Sequence, residues 1–240
     1  MINKIDTPIF VTGIERSGTS IIAKMIRLGG AFAGEVTEMQ ENEGVRKLVD
    51  NYYKSIKYPI KGQFPLPDTS SLSFPSDWRE KVIRILTEQG YDESKSWMYK
   101  NFRICQIWPV WEQAFPSAKW VVVRRRTGDI ISSCIKTGFM TSFKDPIVQL
   151  FVGVNSEEEG WKWWIHEHEA RFREMIESKI DYRIIWPERM VNRDYTQAIE
   201  LLEWLGLKWD DHIKNIIDPL LWYSKLKEKE VKSGSISNSR

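Results

Sequence analysis

Residues 8–26 read PIFVTGIERSGTSIIAKMI. An apolar run leads into Gly13, a polar turn reaches Gly18, and Ile21, Ile22, Met25 and Ile26 follow at helical spacing. The distance from Gly13 to Gly18 is that of the phosphate loop GxxxxGK[ST]. A strand feeding such a turn and then a helix offers converging backbone N–H groups and about half a positive charge to an anion. The two glycines permit conformations and close approaches that a β-carbon would obstruct. Thr19 and Ser20 add hydroxyl donors, but Thr19 stands where the motif requires lysine, and Arg16 puts a cation back earlier in the turn. A metal-dependent kinase also needs an acidic Mg²⁺ partner at a later strand end. At that place, after VVV, the chain has Arg124-Arg125-Arg126, which suits an anion rather than a cation. A nucleotide or small-molecule kinase is therefore the weaker alternative, and a non-catalytic nucleotide binder that keeps the loop is another.

Other chemistry-bearing residues give less. His166 and His168, in WKWWIHEHEARF, lie two apart and point in different directions on a helix, so no metal site is expected there. Cys105 and Cys134 form neither a disulfide framework nor a metal motif. Trp161, Trp163 and Trp164 fit core packing, with the wall of an acceptor cleft as the other reading.

The elements that must position these residues alternate between strand and helix. Strands are expected at 8–12, SWMYKN, AKWVVVRRR and YRIIWP. Helices are expected from Gly18 to Leu28, in DWREKVIRILTEQG, in ICQIWPVWEQAF with an early interruption at Pro109, in TGDIISSCIKTGF, around 158–178, and in TQAIELLEWLGLKWD up to Gly206. Strands apolar on both faces and separated by helices predict an α/β, three-layer sandwich around a central parallel sheet. Ligands then bind at the carboxyl ends of the strands.

Composition sets the frame. The 240 residues, 42% hydrophobic and 28% charged, suit one globular domain, with residues 228–240 a possible flexible tail. A net charge of +2 makes no case for nucleic acid. No apolar run is long enough to cross a bilayer, and the N-terminus lacks a signal peptide's apolar stretch, so a cytoplasmic setting is expected.

With both basic segments in view, the sequence resembles the sulfotransferases that use 3′-phosphoadenosine 5′-phosphosulfate (PAPS), a family with a P-loop NTPase-like fold. Their first strand ends in [KR]-x-G-T-[TS], here Arg16-Ser17-Gly18-Thr19-Ser20, which the resemblance assigns to the 5′-phosphosulfate. A later strand ends in R-x-x-x-D-x-x-x-S, here Arg125, Asp129 and Ser133, whose Arg and Ser the resemblance assigns to the 3′-phosphate. Arg124 and Ser132 share that spacing but place Gly128 at the Asp position. YKNFRI and WPERM…AIELLEWLGLKWDD also fit, so the resemblance spans residues 8–211.

The resemblance implies an enzyme that moves a sulfuryl group from PAPS, as cosubstrate and without a metal, to a hydroxyl acceptor. Arg16 takes the place of the family's catalytic Lys and is assigned charge stabilisation, because an arginine is a poor proton donor. Lys100 is a second candidate for the sulfonate. Relatives acting on phenols and steroids carry His shortly after the middle-strand Lys, where this chain has Phe102. Relatives acting on sugar chains commonly use a Glu in an E-N-E-like context. TEMQENEGV offers Glu43 first, then Glu41, with Glu38 behind them. The partner expected is accordingly a small-molecule or glycan acceptor.

Overall fold

β-branched and aromatic residues decide where the sheet forms. IFVTG and KWVVV are extended runs whose side chains fill both faces, and both become central strands. The computed structural model describes residues 4–59, 63–138 and 141–217; the stretch 228–240, read as a tail, lies outside them. In chain order the elements are β1 (Ile9–Gly13), α1 (Thr19–Leu28), α2 (Glu43–Ser55), α3 (Trp78–Glu88), β2 (Met98–Lys100), α4 (Trp108–Ala114), β3 (Lys119–Val123), α5 (Thr127–Thr137), α6 (Pro146–Val152), α7 (Glu157–Glu177), β4 (Asp181–Ile185), α8 (Pro187–Val191) and α9 (Thr196–Leu205). The four strands form one parallel sheet in the order β2-β1-β3-β4. The α/β class and the covered parallel sheet are as the sequence predicts.

Two apolar clusters lie on the two faces of the sheet. On one face Phe10 meets Trp97, Trp111, Phe115 and Trp120, all edge-on, with ring centroids 4.9–6.0 Å apart. α2, α3, α4, α5 and α7 close over this cluster. On the other face Val11, Val121 and Val123 pack against Ile22, Met25 and Ile26 of α1 and Leu201, Leu202 and Leu205 of α9. Trp161 and Trp164 are buried in the first cluster and Trp163 is half-buried against it, which decides between the two readings of that stretch in favour of the core.

Two local expectations need correction. Pro109 does not interrupt a helix: a 3₁₀ segment, Phe102–Ile107, precedes it and α4 starts at Trp108, with Pro109 in the first turn. There the missing N–H has no helical partner to lose. β4 is not apolar on both faces either, since Asp181 and Arg183 are exposed. It ends the strand order, and an edge strand tolerates polar residues that a central one would not.

Candidate functional site

Register brings the basic strand ends together. Gly13 of β1 pairs with Val123 of β3, and Val11 pairs with Lys100 of β2. The turn after β1, the arginines after β3 and the lysine ending β2 therefore open on the same edge of the sheet. A β-carbon on Gly13 would stand 2.6 Å from the Val123 carbonyl oxygen and 2.8 Å from Ser17 Oγ, so the close approach of these strand ends requires glycine.

The turn itself is shaped for an anion. Arg16 (φ 65°) and Gly18 (φ 99°) both take the left-handed conformation. Gly18 caps α1 without any side-chain hydrogen bond, and the first turn holds no acidic residue. The Thr19 and Ser20 amides are thus left by helix geometry for an outside acceptor, while those of Ile21 and Ile22 turn back to the Gly18 carbonyl at 3.1 and 3.4 Å. Ser17 Oγ is buried and has no hydrogen-bond partner among the described residues. Thr19 is buried in the first turn, and Ser20 Oγ donates to the Met39 carbonyl at 3.2 Å.

Three of the sequence-predicted residues meet directly. Arg16 Nε donates to Ser133 Oγ at 3.0 Å, across 117 residues of chain. Arg125 Nη1 donates to the Arg16 carbonyl at 2.9 Å. Burial pulls the Arg125 guanidinium below its ordinary value, and Arg16 adds to that pull while Asp129 and Glu188 oppose it. Arg124, the neighbour with the same spacing, is engaged elsewhere: it ion-pairs with Glu169 and lies over the Phe172 ring at 5.2 Å. Asp129 pairs with Arg126 at 3.0 Å rather than with Arg125.

Lys100 is almost fully buried. Its Nζ donates to Glu41 Oε1 and to the Met39 carbonyl, each at 3.1 Å. Glu41 is therefore joined to the strand-end cation, whereas Glu43 is exposed at the start of α2, where its charge complements the helix dipole. Glu38 is exposed. The segment carrying these carboxylates is held by Asn42. Its Oδ1 accepts from Val45 N at 3.0 Å, and its Nδ2 donates to the Ala33 carbonyl at 2.8 Å and to Gln89 Oε1 at 2.6 Å.

Some functional neighbours were not singled out from the sequence. Glu15, beside Arg16, is buried; its Oε2 accepts from Trp164 Nε1 at 2.8 Å and its Oε1 has no hydrogen-bond partner among the described residues. Burial raises its carboxyl to about 7, against the opposing pull of Trp164, its own amide, Arg103 and Lys100. Arg103 pairs with Asp50 at 2.7 Å. The one signal available in the sequence was the presence of an acid inside a turn of phosphate-loop spacing. The histidines stand apart from the site's cations. His168 is buried with Nδ1 3.0 Å from the Trp164 carbonyl, and His166 is exposed on the same helix. Among the described residues no cluster of His, Cys, Asp and Glu is arranged to hold a metal.

Known proteins share this fold. No curated protein matches the sequence. Among solved structures, the sulfotransferase domain from the curacin biosynthetic pathway superposes with a TM-score of 0.56 at 14% identity, over 88% of this chain and 78% of that one. Sulfotransferase STF9 from Mycobacterium avium gives 0.53 at 12%, over 88% and 67%. The sulfotransferase domain from the Synechococcus PCC 7002 olefin synthase gives 0.52 at 15%, over 88% and 78%. At these identities the likeness is one of fold. The family model described as Sulfotransferase family matches residues 8–211, nearly the whole span of described structure, and this chain belongs to that family.

Proposed function

We propose that this chain transfers the sulfuryl group of PAPS to a hydroxyl of a carbohydrate acceptor. The observation that carries the donor assignment is the convergence of Arg16, Ser133 and Arg125 at the end of β1 and β3. The uncapped start of α1 and the unpartnered Ser17 hydroxyl fit a phosphosulfate group. PAPS would supply an activated sulfuryl group on a phosphate leaving group. In this reading Ser17, Gly18, Thr19 and Ser20 hold the 5′-phosphosulfate, and Arg125 with Ser133 holds the 3′-phosphate.

Negative charge spreads over the sulfonate and the departing phosphate during transfer, so fixed cations and donors supply most of the stabilisation. Arg16 is one such cation, and Lys100, ending the neighbouring strand, is the second. The proton leaving the acceptor hydroxyl needs a carboxylate. Glu43, exposed at the head of α2, is free to meet a large polar acceptor, and Glu41 beside Lys100 is the other candidate. Phe102 at the place where phenol-type relatives carry His supports a sugar over a phenol.

The test has two arms. 3′-Phosphoadenosine 5′-phosphate, the spent donor, should raise the melting temperature, by about 2.7 kcal/mol of stability at a hundredfold excess over Kd, while ATP with Mg²⁺ should not. Transfer of ³⁵S from labelled PAPS should then appear on glycans and not on phenols. Stabilisation by ATP with Mg²⁺ alone would transfer the assignment to a kinase. Donor binding without a product on any acceptor would leave a non-catalytic binder.

A further inference from the structure

The basic edge of the sheet is partly filled by the chain itself. Between α1 and α2, residues 35–42 close into a small turn. Val36 and Asn42 pair antiparallel, Thr37 N donates to the Glu41 carbonyl at 3.0 Å, and Gln40 N donates to the Thr37 carbonyl at 2.9 Å. The tip of this turn reaches the strand ends. The Met39 carbonyl accepts from Ser20 Oγ at 3.2 Å and from Lys100 Nζ at 3.1 Å, and Glu41 Oε1 accepts from the same Nζ at 3.1 Å. One neutral oxygen thus joins a hydroxyl in the first turn of α1 to the cation that ends β2. Two donors that converge on a carbonyl oxygen also converge on one oxygen of an anion, and a charged acceptor makes hydrogen bonds roughly twice as strong.

The turn is fixed at its root and not at its tip. At the root Asn42 caps α2 and holds the Ala33 carbonyl and Gln89, and Gly34 (φ 64°) lies so close to Gln89 that a β-carbon would collide with its Oε1. At the tip the Met39 side chain is exposed. Among the described residues, the tip is tied outward by the bonds to Ser20 and Lys100 and by Arg27 Nη1, which donates to Gln40 Oε1 at 2.6 Å. The bonds inside the turn survive a swing about its root. Charge decides what stands at the strand ends. The Lys100 and Glu41 side chains are only 6% and 14% exposed, and a buried ammonium without a counter-charge is costly. A sulfonate supplies that counter-charge, and Glu41 then becomes a second anion competing for one cation.

Resting on the donor reading above, we propose that residues 35–42 are a strap opened by the donor: an oxygen of the sulfonate takes the place of the Met39 carbonyl on Ser20 and Lys100, and the displaced turn carries Glu41 out of its ion pair. Glu41 is then available to the acceptor only once the donor is seated, so the donor binds before the acceptor.

Met39→Cys keeps the backbone carbonyl and offers an exposed thiol, while Cys105 and Cys134 are fully buried. An environment-sensitive fluorophore on that thiol reports the tip, and calorimetry with and without the label reports binding. PAPS should shift the emission. 3′-Phosphoadenosine 5′-phosphate, which has no sulfonate, should bind and leave the emission near its ligand-free value. Glu41→Gln in the labelled protein should begin near the PAPS-bound emission. It should also raise the ratio of PAPS to 3′-phosphoadenosine 5′-phosphate affinity about tenfold, because the closed strap no longer has to be displaced. A change in local charge acts on both ligands and cancels in that ratio. PAPS binding with unchanged emission, an equal shift with both ligands, or a ratio unmoved by Glu41→Gln would overturn the inference and leave the donor reading intact. Binding of neither ligand to the unlabelled protein would overturn the donor reading itself.

Discussion

Arg16 holds a left-handed backbone conformation that a residue with a β-carbon adopts at a cost of about 1–2 kcal/mol, and glycine would adopt it more cheaply. The chain nevertheless has an arginine there, donating to Ser133 and accepting from Arg125 through its own carbonyl. Strain retained at such a position favours function over stability. Arg16→Gly is therefore expected to keep the melting temperature within a few degrees while lowering affinity for 3′-phosphoadenosine 5′-phosphate tenfold or more; calorimetry beside a melting curve reads both. A large loss of stability with affinity retained would make Arg16 a structural residue. Arg125 is tested by the contrast between Ala and Lys. A hydrogen bond to a charged group is worth about 1.5–3 kcal/mol, so Arg125→Ala should cost ten- to more than a hundredfold in that affinity. Arg125→Lys should recover only part of it, because a point charge cannot reproduce the planar fork of donors.

The site's geometry depends on elements more than on single side chains. β1 and β3 approach closely enough at their ends that Gly13→Ala would drive a methyl to 2.6 Å from the Val123 backbone oxygen, which cannot rotate away. That substitution should cost about 1–3 kcal/mol in denaturant unfolding and widen the turn, weakening binding of the spent donor as well. Unchanged stability would mean that the strand ends are free to part. On the acceptor side, Asn42 is the N-cap of α2 and also ties that helix to the Ala33 carbonyl and to Gln89. The elements themselves were largely legible in the sequence, because an apolar run, a glycine turn and a helical period are local signals. The family resemblance also singled out Arg16, Arg125 and Ser133, which the structure brings into contact. What was not legible depends on distant chain. Glu15 reads as one more polar turn residue until Trp164, 149 residues later, covers it. The order β2-β1-β3-β4, which makes β4 the exposed edge, and the commitment of Arg124 to Glu169 on α7, likewise arise only from packing.

At the scale of the whole molecule, two buried titratable groups pull the pH dependence of stability in opposite directions. His168 sits in the core of α7 with Nδ1 against the Trp164 carbonyl and Nε2 3.3 Å from Gln106 Nε2, while Arg171, which donates to the Gln106 carbonyl, adds positive charge nearby. Burial, with Arg171 assisting, lowers the imidazole from 6.5 to about 4. The unfolded chain therefore takes up this proton first. The stability that the neutral ring contributes is present above pH 6.5 and is lost as pH falls towards 4, a change of about 3 kcal/mol. Glu15 runs the other way. Its carboxyl is raised from 4.5 to about 7, so its contribution is present below pH 4.5 and lost as pH rises through 7, again by about 3 kcal/mol. Both groups touch Trp164, one through its indole N–H and the other through its carbonyl, so the two opposed titrations meet at one turn of α7. Their windows nearly coincide and their slopes have opposite sign, so the two contributions largely cancel, and together they leave the wild-type melting temperature nearly flat between pH 4.5 and 6.5. His168→Gln, whose amide has no proton to gain in this range, should unmask Glu15: the melting temperature then falls as pH rises from 4.5 to 7, by roughly 6–12 °C for a chain of this length. Glu15→Gln should unmask His168, with a fall of similar size as pH drops from 6.5 to 4. If both variants keep the wild-type profile, neither buried group governs the pH dependence of stability and residues elsewhere do.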